Sequence, residues 1–151
     1  MMHRAKLRKL VDAAAVKQAI EDAESRTTGE IRVSVSTFFW GNVRRTAEKA
    51  FVRLGMDRTA HRNGVLIFVV PSRRAFVVLG DEEIHARVGQ EFWDSVTAAM
   101  SERFKKGDFT GGLVHGISEA GRQLAEHFPG VGPRDVNELP DDVDFGGDTK
   151  T

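Results

Sequence analysis

The sequence predicts an α/β domain with a small mixed sheet, made of a parallel strand pair and an antiparallel hairpin strand, flanked by about four helices. Three observations carry that prediction. Residues 65–70 form the longest uninterrupted apolar run, β-branched and aromatic, between Asn63-Gly64 and Pro71-Ser72, so they read as a mid-sheet strand buried on both faces. A second strand pattern at 30–37 is joined to that run by a helical stripe, a strand, helix, strand unit whose strands run parallel with a right-handed crossover. Two long stripes with apolar residues every three or four positions follow toward the C-terminus.

In chain order, Leu7, Leu10, Val11, Ala14, Val16, Ile20 and Ala23 recur among charges and predict one amphipathic helix over 2–26, ended by Thr27-Thr28-Gly29. Residues 30–37 alternate Ile31, Val33 and Val35 with Arg32, Ser34 and Ser36, as in a strand with one less buried face. Gly41-Asn42 starts the next helix, 43–54, on Ala47, Ala50, Phe51 and Leu54. Residues 71–74 are short enough for a hairpin turn, and 75–79 return as a strand until Gly80 and Asp81-Glu82-Glu83 stop it. A short helical turn at 84–88 ends at Gly89. Phe92, Trp93, Val96, Met100 and Phe104 then mark a long helix closed by Lys105-Lys106-Gly107. Asp108 caps the last helix, whose stripe is Phe109, Leu113, Ile117, Ala120, Leu124 and Phe128, with Pro129 beyond it.

At 151 residues the chain has room for a single core, so 1–128 are expected to form one domain. Residues 129–151 are rich in proline, glycine and acid and are expected to form a disordered tail, dispensable for thermal stability. Lysine plus arginine (22) equals aspartate plus glutamate (22), so no global field steers the chain toward nucleic acid or anionic lipid. Without cysteine there are no disulfides, thiolate metal sites or cysteine nucleophiles. The N-terminus is a poor secretory signal and no apolar run approaches a spanning length, so a soluble cytoplasmic protein is expected. The patterns of G-x-S-x-G, Walker A, G-x-G-x-x-G and H-E-x-x-H are absent.

The strand directions decide which loops meet. A parallel first strand and an antiparallel hairpin collect Glu30, Arg62, Asn63, Asp81, Glu82 and Glu83 at one end of the sheet. Their oxygens suit calcium or magnesium, with Glu30, Asp81, Glu82 and Glu83 as ligands and mutual repulsion between Glu30 and Asp81 without metal. His61 or His85 would favour a softer ion such as zinc, and Arg62 and Asn63 would contact an anion. The competing reading makes the three acids a helix N-terminus and Glu30 a solvated strand end. At the opposite end, Phe38-Phe39-Trp40 and Ser72-Arg73-Arg74 either hold a planar or phosphorylated ligand or cover the core.

Thr28-Gly29-Glu30-Ile31, Asn63-Gly64-Val65-Leu66-Ile67, Arg74, Gly80-Asp81, Phe104-Lys105-Lys106-Gly107-Asp108-Phe109, Gly112-Leu113 and Gly116-Ile117 together resemble the TPM domain family, over about residues 5–128. The resemblance implies an α/β/α sandwich, divalent-metal binding at acidic loops and an acid-phosphatase activity. Gly80-Asp81, Ile84, Val88-Gly89 and Phe92-Trp93 resemble in particular the short, soluble bacterial branch, whereas the commoner members carry a secretion signal, a membrane helix and a glycine-rich tail. Those members also place G-x-G where this chain has Gly80-Asp81-Glu82. The expected function is that of a divalent-metal-binding module for an unknown protein or small-molecule partner. The alternative is a metal-dependent phosphatase, with Arg62 on the phosphate and a metal-bound water as nucleophile.

Overall fold

The computed structural model describes residues 4–37, 41–130 and 139–146. Its three strands, β1 (Glu30–Val35), β2 (Gly64–Val70) and β3 (Ala75–Gly80), lie in the order β1-β2-β3. β1 runs parallel to β2 with Glu30 opposite Gly64, and β3 returns antiparallel with Gly80 opposite Val65. The hairpin turns through a 3-10 segment, Pro71–Arg73, and Arg74 in the left-handed region at φ 48°. Every residue of β2 is buried, as its unbroken apolar run requires.

Alternation along the strands divides the interior into two layers. Ile31, Val33, Val35, Val65, Ile67 and Val69 face the larger layer of helices, and Leu66, Phe68, Val70 and Leu79 face the smaller. The smaller layer is α3 (Val43–Arg53), with Ala47 and Ala50 buried and Asn42 capping it by accepting from Arg45 N at 2.8 Å; Met56 follows it into the same core. The larger layer holds α1 (Arg4–Leu10), α2 (Ala13–Glu24), α4 (Glu82–Arg87), α5 (Gln90–Lys105) and α6 (Phe109–His127). Helices therefore cover both faces of the sheet, and the α/β/α sandwich holds.

The stripe from Phe109 to Phe128 is buried throughout, and α6 packs between α5 and α2. That packing depends on a glycine face the apolar stripe does not reveal. A Cβ on Gly112 would stand 2.4 Å from Phe104 Cδ1, and one on Gly121 would stand 2.5 Å from Ala23 Cβ.

Two elements differ from the sequence expectation. The single first helix is broken at Asp12, which accepts from Ala15 N at 3.1 Å and so caps a new helix; its own N–H goes to Thr110 Oγ1 at 3.0 Å. Apolar periodicity runs through the break because Leu7, Val11, Val16 and Ile20 all reach the same core.

β1 has no exposed face, since Glu30, Arg32 and Ser34 are buried along with its valines. What covers them is the stretch 139–146, placed by composition in a disordered tail. Val35 N donates to Asp144 O at 2.7 Å and Asp144 N donates to Val33 O at 2.9 Å, which continues the sheet by one parallel bridge. Leu139 packs into the smaller layer, Val143 and Phe145 into the larger. Low apolar content did not prevent docking, because one aromatic is buried and the acids meet cations. The same expectation for residues 131–138 and 147–151 lies outside the described residues.

Candidate functional site at the acidic end of the sheet

The register brings the ends of β2 and β3 together, and Asp81 N donates to Gly64 O at 3.0 Å. Asp81 then caps α4 by accepting from Glu82 N at 2.8 Å. Arg62 sits in the left-handed region at φ 50°, and its guanidinium takes the same carboxylate at both oxygens, Nε to Oδ2 at 2.7 Å and Nη2 to Oδ1 at 3.0 Å. Arg62 Nη1 also lies 2.9 Å from Glu82. Such a fork-to-fork pair is about as strong as surface-proximal ion pairs become.

The other predicted residues scatter around this pair. Glu83 is half-buried, with Arg87 at 3.9 Å, and Glu82, His61 and His85 are exposed. His85 stacks on Trp93 with ring centres 5.2 Å apart. Asn63 is buried, donates to Thr28 Oγ1 at 3.1 Å, and leaves its Oδ1 without a partner.

Glu30 turns toward a different neighbour. Its Oε1 accepts from Leu139 N at 3.1 Å, so it is neither a solvated strand end nor bonded to the Asp81 loop in this contact. Beside it stands Glu24, at the end of α2, whose Oε2 accepts from Ile31 N at 2.7 Å. Glu24 Oε1 is buried with no hydrogen-bond partner. Burial, then the adjoining Asp141 carboxyl, push Glu24 up to about 10, and the charge of Glu30 adds to the effect. Raised that far, Glu24 keeps its proton at neutral pH and can donate it to the Asp141 carboxyl, so a cation bound there would have to displace that proton.

Sequence reasoning missed Glu24 and Asp141, one an ordinary acid on a helix and the other in the supposed tail. The available signal was local, since Glu24 precedes Glu30 across the tight turn Thr27-Thr28-Gly29. Thr27 Oγ1 fixes that turn by donating to the carbonyls of Leu124 and Phe128.

At the opposite end, Arg73 Nη1 donates to Gly41 O and Arg74 Nη1 to Lys105 O, each at 3.0 Å, so both arginines brace the main chain. A cavity of about 480 Å³ lies there between α3 and the end of β1, with Lys49, Thr46 and Ser36 in its wall. Phe38-Phe39-Trp40 lie outside the described residues.

The layered geometry, the hairpin and the closing Gly80-Asp81 turn coincide with a match to the TPM domain family model over residues 6–123. The chain belongs to the TPM domain family. Among solved structures, the BA42 protein of the psychrophilic bacterium Bizionia argentinensis is similar at 41% identity and a TM-score of 0.84, covering 89% of this chain and 92% of that one. The N-terminal domain of the cg2496 protein from Corynebacterium glutamicum shares the fold at a TM-score of 0.59 and 16% identity, covering 74% of this chain and 70% of that one. No curated protein matches the chain. Among the described residues, no helix of this TPM domain is long and apolar enough to cross a membrane.

The divalent metal that the family resemblance implies can be tested against the donors present. The Asp81 loop does not fit, because a guanidinium already fills the space between its carboxylate oxygens. The Glu24 side fits better, with an orphaned buried oxygen, a second carboxyl beside it and Glu30 adjacent. Among the described residues, no three His, Cys, Asp or Glu side chains are already gathered as a ligand set.

Proposed function

We propose that this TPM domain is a divalent-cation-binding module and that its ion is taken by Glu24 and Asp141, with Glu30 beside them, rather than by Asp81, Glu82 and Glu83. The observation that carries the reading is the buried Glu24 Oε1 set against the Asp141 carboxyl, with the charge of Glu30 close by. A hard cation that displaces the Glu24 proton would take up these carboxyl oxygens, and calcium tolerates the irregular oxygen sets that loops supply better than magnesium does. Glu24 comes from the end of α2, Glu30 from the start of β1 and Asp141 from the C-terminal stretch, so the ion would tie three separated parts of the chain together. A soft ion such as zinc has less support, since His61 and His85 are exposed and lie on the Asp81 side.

The phosphatase alternative has less support still. The arginine that would hold the phosphate, Arg62, is engaged by Asp81 and Glu82. The role of the domain is therefore to bind a protein or small-molecule partner, with the ion structural. Calcium titration of the purified, EDTA-stripped protein by calorimetry tests the reading. Saturable binding that Glu24→Gln abolishes is expected, and heat that is equal in both proteins would refute it.

A further inference from the structure

The outer edge of β1 carries a second kind of site. β1 pairs with β2 on one side only, and its other side would present unpaired main-chain groups of the kind that accept an added strand. One residue, Asp144, takes the main-chain positions at Val33 O and Val35 N. Side chains on four different elements hold the stretch as well. Arg53 on α3 binds the Asp144 carboxylate with Nη2 at 2.9 Å and Nη1 at 3.4 Å, and Ser34 on β1 donates to it at 2.8 Å. Lys17 on α2 lies 3.1 Å from Asp142, and Arg32 donates to the Asp142 carbonyl at 3.3 Å. Arg8 on α1 stands 4.4 Å over the ring of Phe145, itself only 6% exposed.

A chain with no net charge has thus lined one sheet edge with four cations and an aromatic socket. We propose that this edge is a strand-acceptor site for an extended acidic peptide of a partner protein, one with carboxylates two residues apart followed at once by an aromatic, and that residues 139–146 occupy it in cis. Main-chain bonding to β1 edge groups gives affinity and the Arg53 and Phe145 positions give selectivity, as in other cases of strand addition. A segment that adds one bridge to the sheet and is otherwise held by side chains opens at a smaller free energy than the whole domain, so a partner strand can compete for it. Strand docking at this edge does not require the cation, and its test is run in EDTA.

The probe is a fluorescein-labelled peptide of the sequence LPDDVDFG, that of residues 139–146, followed by anisotropy with the full chain. Wild type should bind it weakly, since the edge is filled. Asp144→Ala with Phe145→Ala, which loosens the resident segment, should bind at least tenfold more tightly, and adding Arg53→Glu should reverse the gain. Asp144→Asn alone, the milder change, should give a smaller gain of the same sign and keeps the test open if the double variant melts below assay temperature. A scrambled peptide that binds as tightly would overturn the proposal, as would loosened variants that bind no better than wild type. A loosened variant that instead becomes a concentration-dependent dimer would overturn the choice of partner, because the occupant would then be a second copy of this chain.

Discussion

Arg62 Nε stands 2.7 Å from Asp81 Oδ2 while Arg62 Nη2 stands 3.0 Å from Oδ1, so the acid that ends the β-hairpin is neutralised from within the domain. This pair decides the sign of an experiment. Crowding of Glu30 against Asp81 would make Asp81→Asn stabilising. The pair makes it destabilising, because the amide still caps α4 but no longer neutralises Arg62. Hydrogen bonds to charged groups are the stronger kind, so the variant should unfold at a lower urea concentration than wild type, by an amount that the exposure of Arg62 keeps modest. Urea unfolding of the metal-free proteins measures it, and an unchanged or raised midpoint would contradict the structural role.

Gly121→Ala sets helix propensity against packing. Alanine favours the helix by ~1 kcal/mol, but its methyl would lie 2.5 Å from Ala23 Cβ and 3.0 Å from Ala23 Cα, where two helix backbones meet. Overpacking costs about 1–3 kcal/mol, so the net change is a loss of up to about 2 kcal/mol. A gain in the urea midpoint would mean that α2 and α6 separate more easily than their contact indicates.

Burial works against ionisation of Asp144, but the hydrogen bonds from Arg53 and Ser34 outweigh it and hold its pKa below the ordinary 3.8. A carboxyl depressed on folding stabilises fully above its unfolded value, and the contribution fades as pH falls through the folded value. Asp144→Asn should therefore melt roughly 2–4 °C below wild type at neutral pH, equivalent to about 1 kcal/mol. The gap should close in acid, below 3.8. Melting curves from neutral to acid pH check this, and a gap independent of pH would assign the loss to packing instead.

The strands and their directions were legible because residues 65–70 leave no alternative to a buried strand, and the 71–74 turn fixes the return. Helix ends were legible wherever a side chain caps, as at Asn42 and Asp108. Asp12 was readable by the same rule, but an unbroken apolar period concealed it. The site was half legible. Strand directions predict that Arg62 lies beside Asp81, yet nothing in that spacing says the two will bind each other rather than a ligand. The buried polar face of β1 could not be read from β1 itself, since what buries Arg32 and Ser34 lies 110 residues away in sequence. Removal of residues 139–146 should accordingly lower stability, contrary to what their composition suggests.

Thermal melts of wild type, Glu24→Gln and Asp81→Asn, each in EDTA and in excess calcium, decide between Glu24 and Asp81 as the residue that holds the ion. In EDTA, Glu24→Gln should melt close to wild type, because a carboxyl pushed up to about 10 and a glutamine amide are both neutral there, and both accept from Ile31 N. Calcium at ~100 times the dissociation constant should add about 2.7 kcal/mol to wild type and to Asp81→Asn alike, and little to Glu24→Gln. No calcium shift in wild type, or a shift that Asp81→Asn loses while Glu24→Gln keeps it, would rule out a cation held by Glu24 and Asp141.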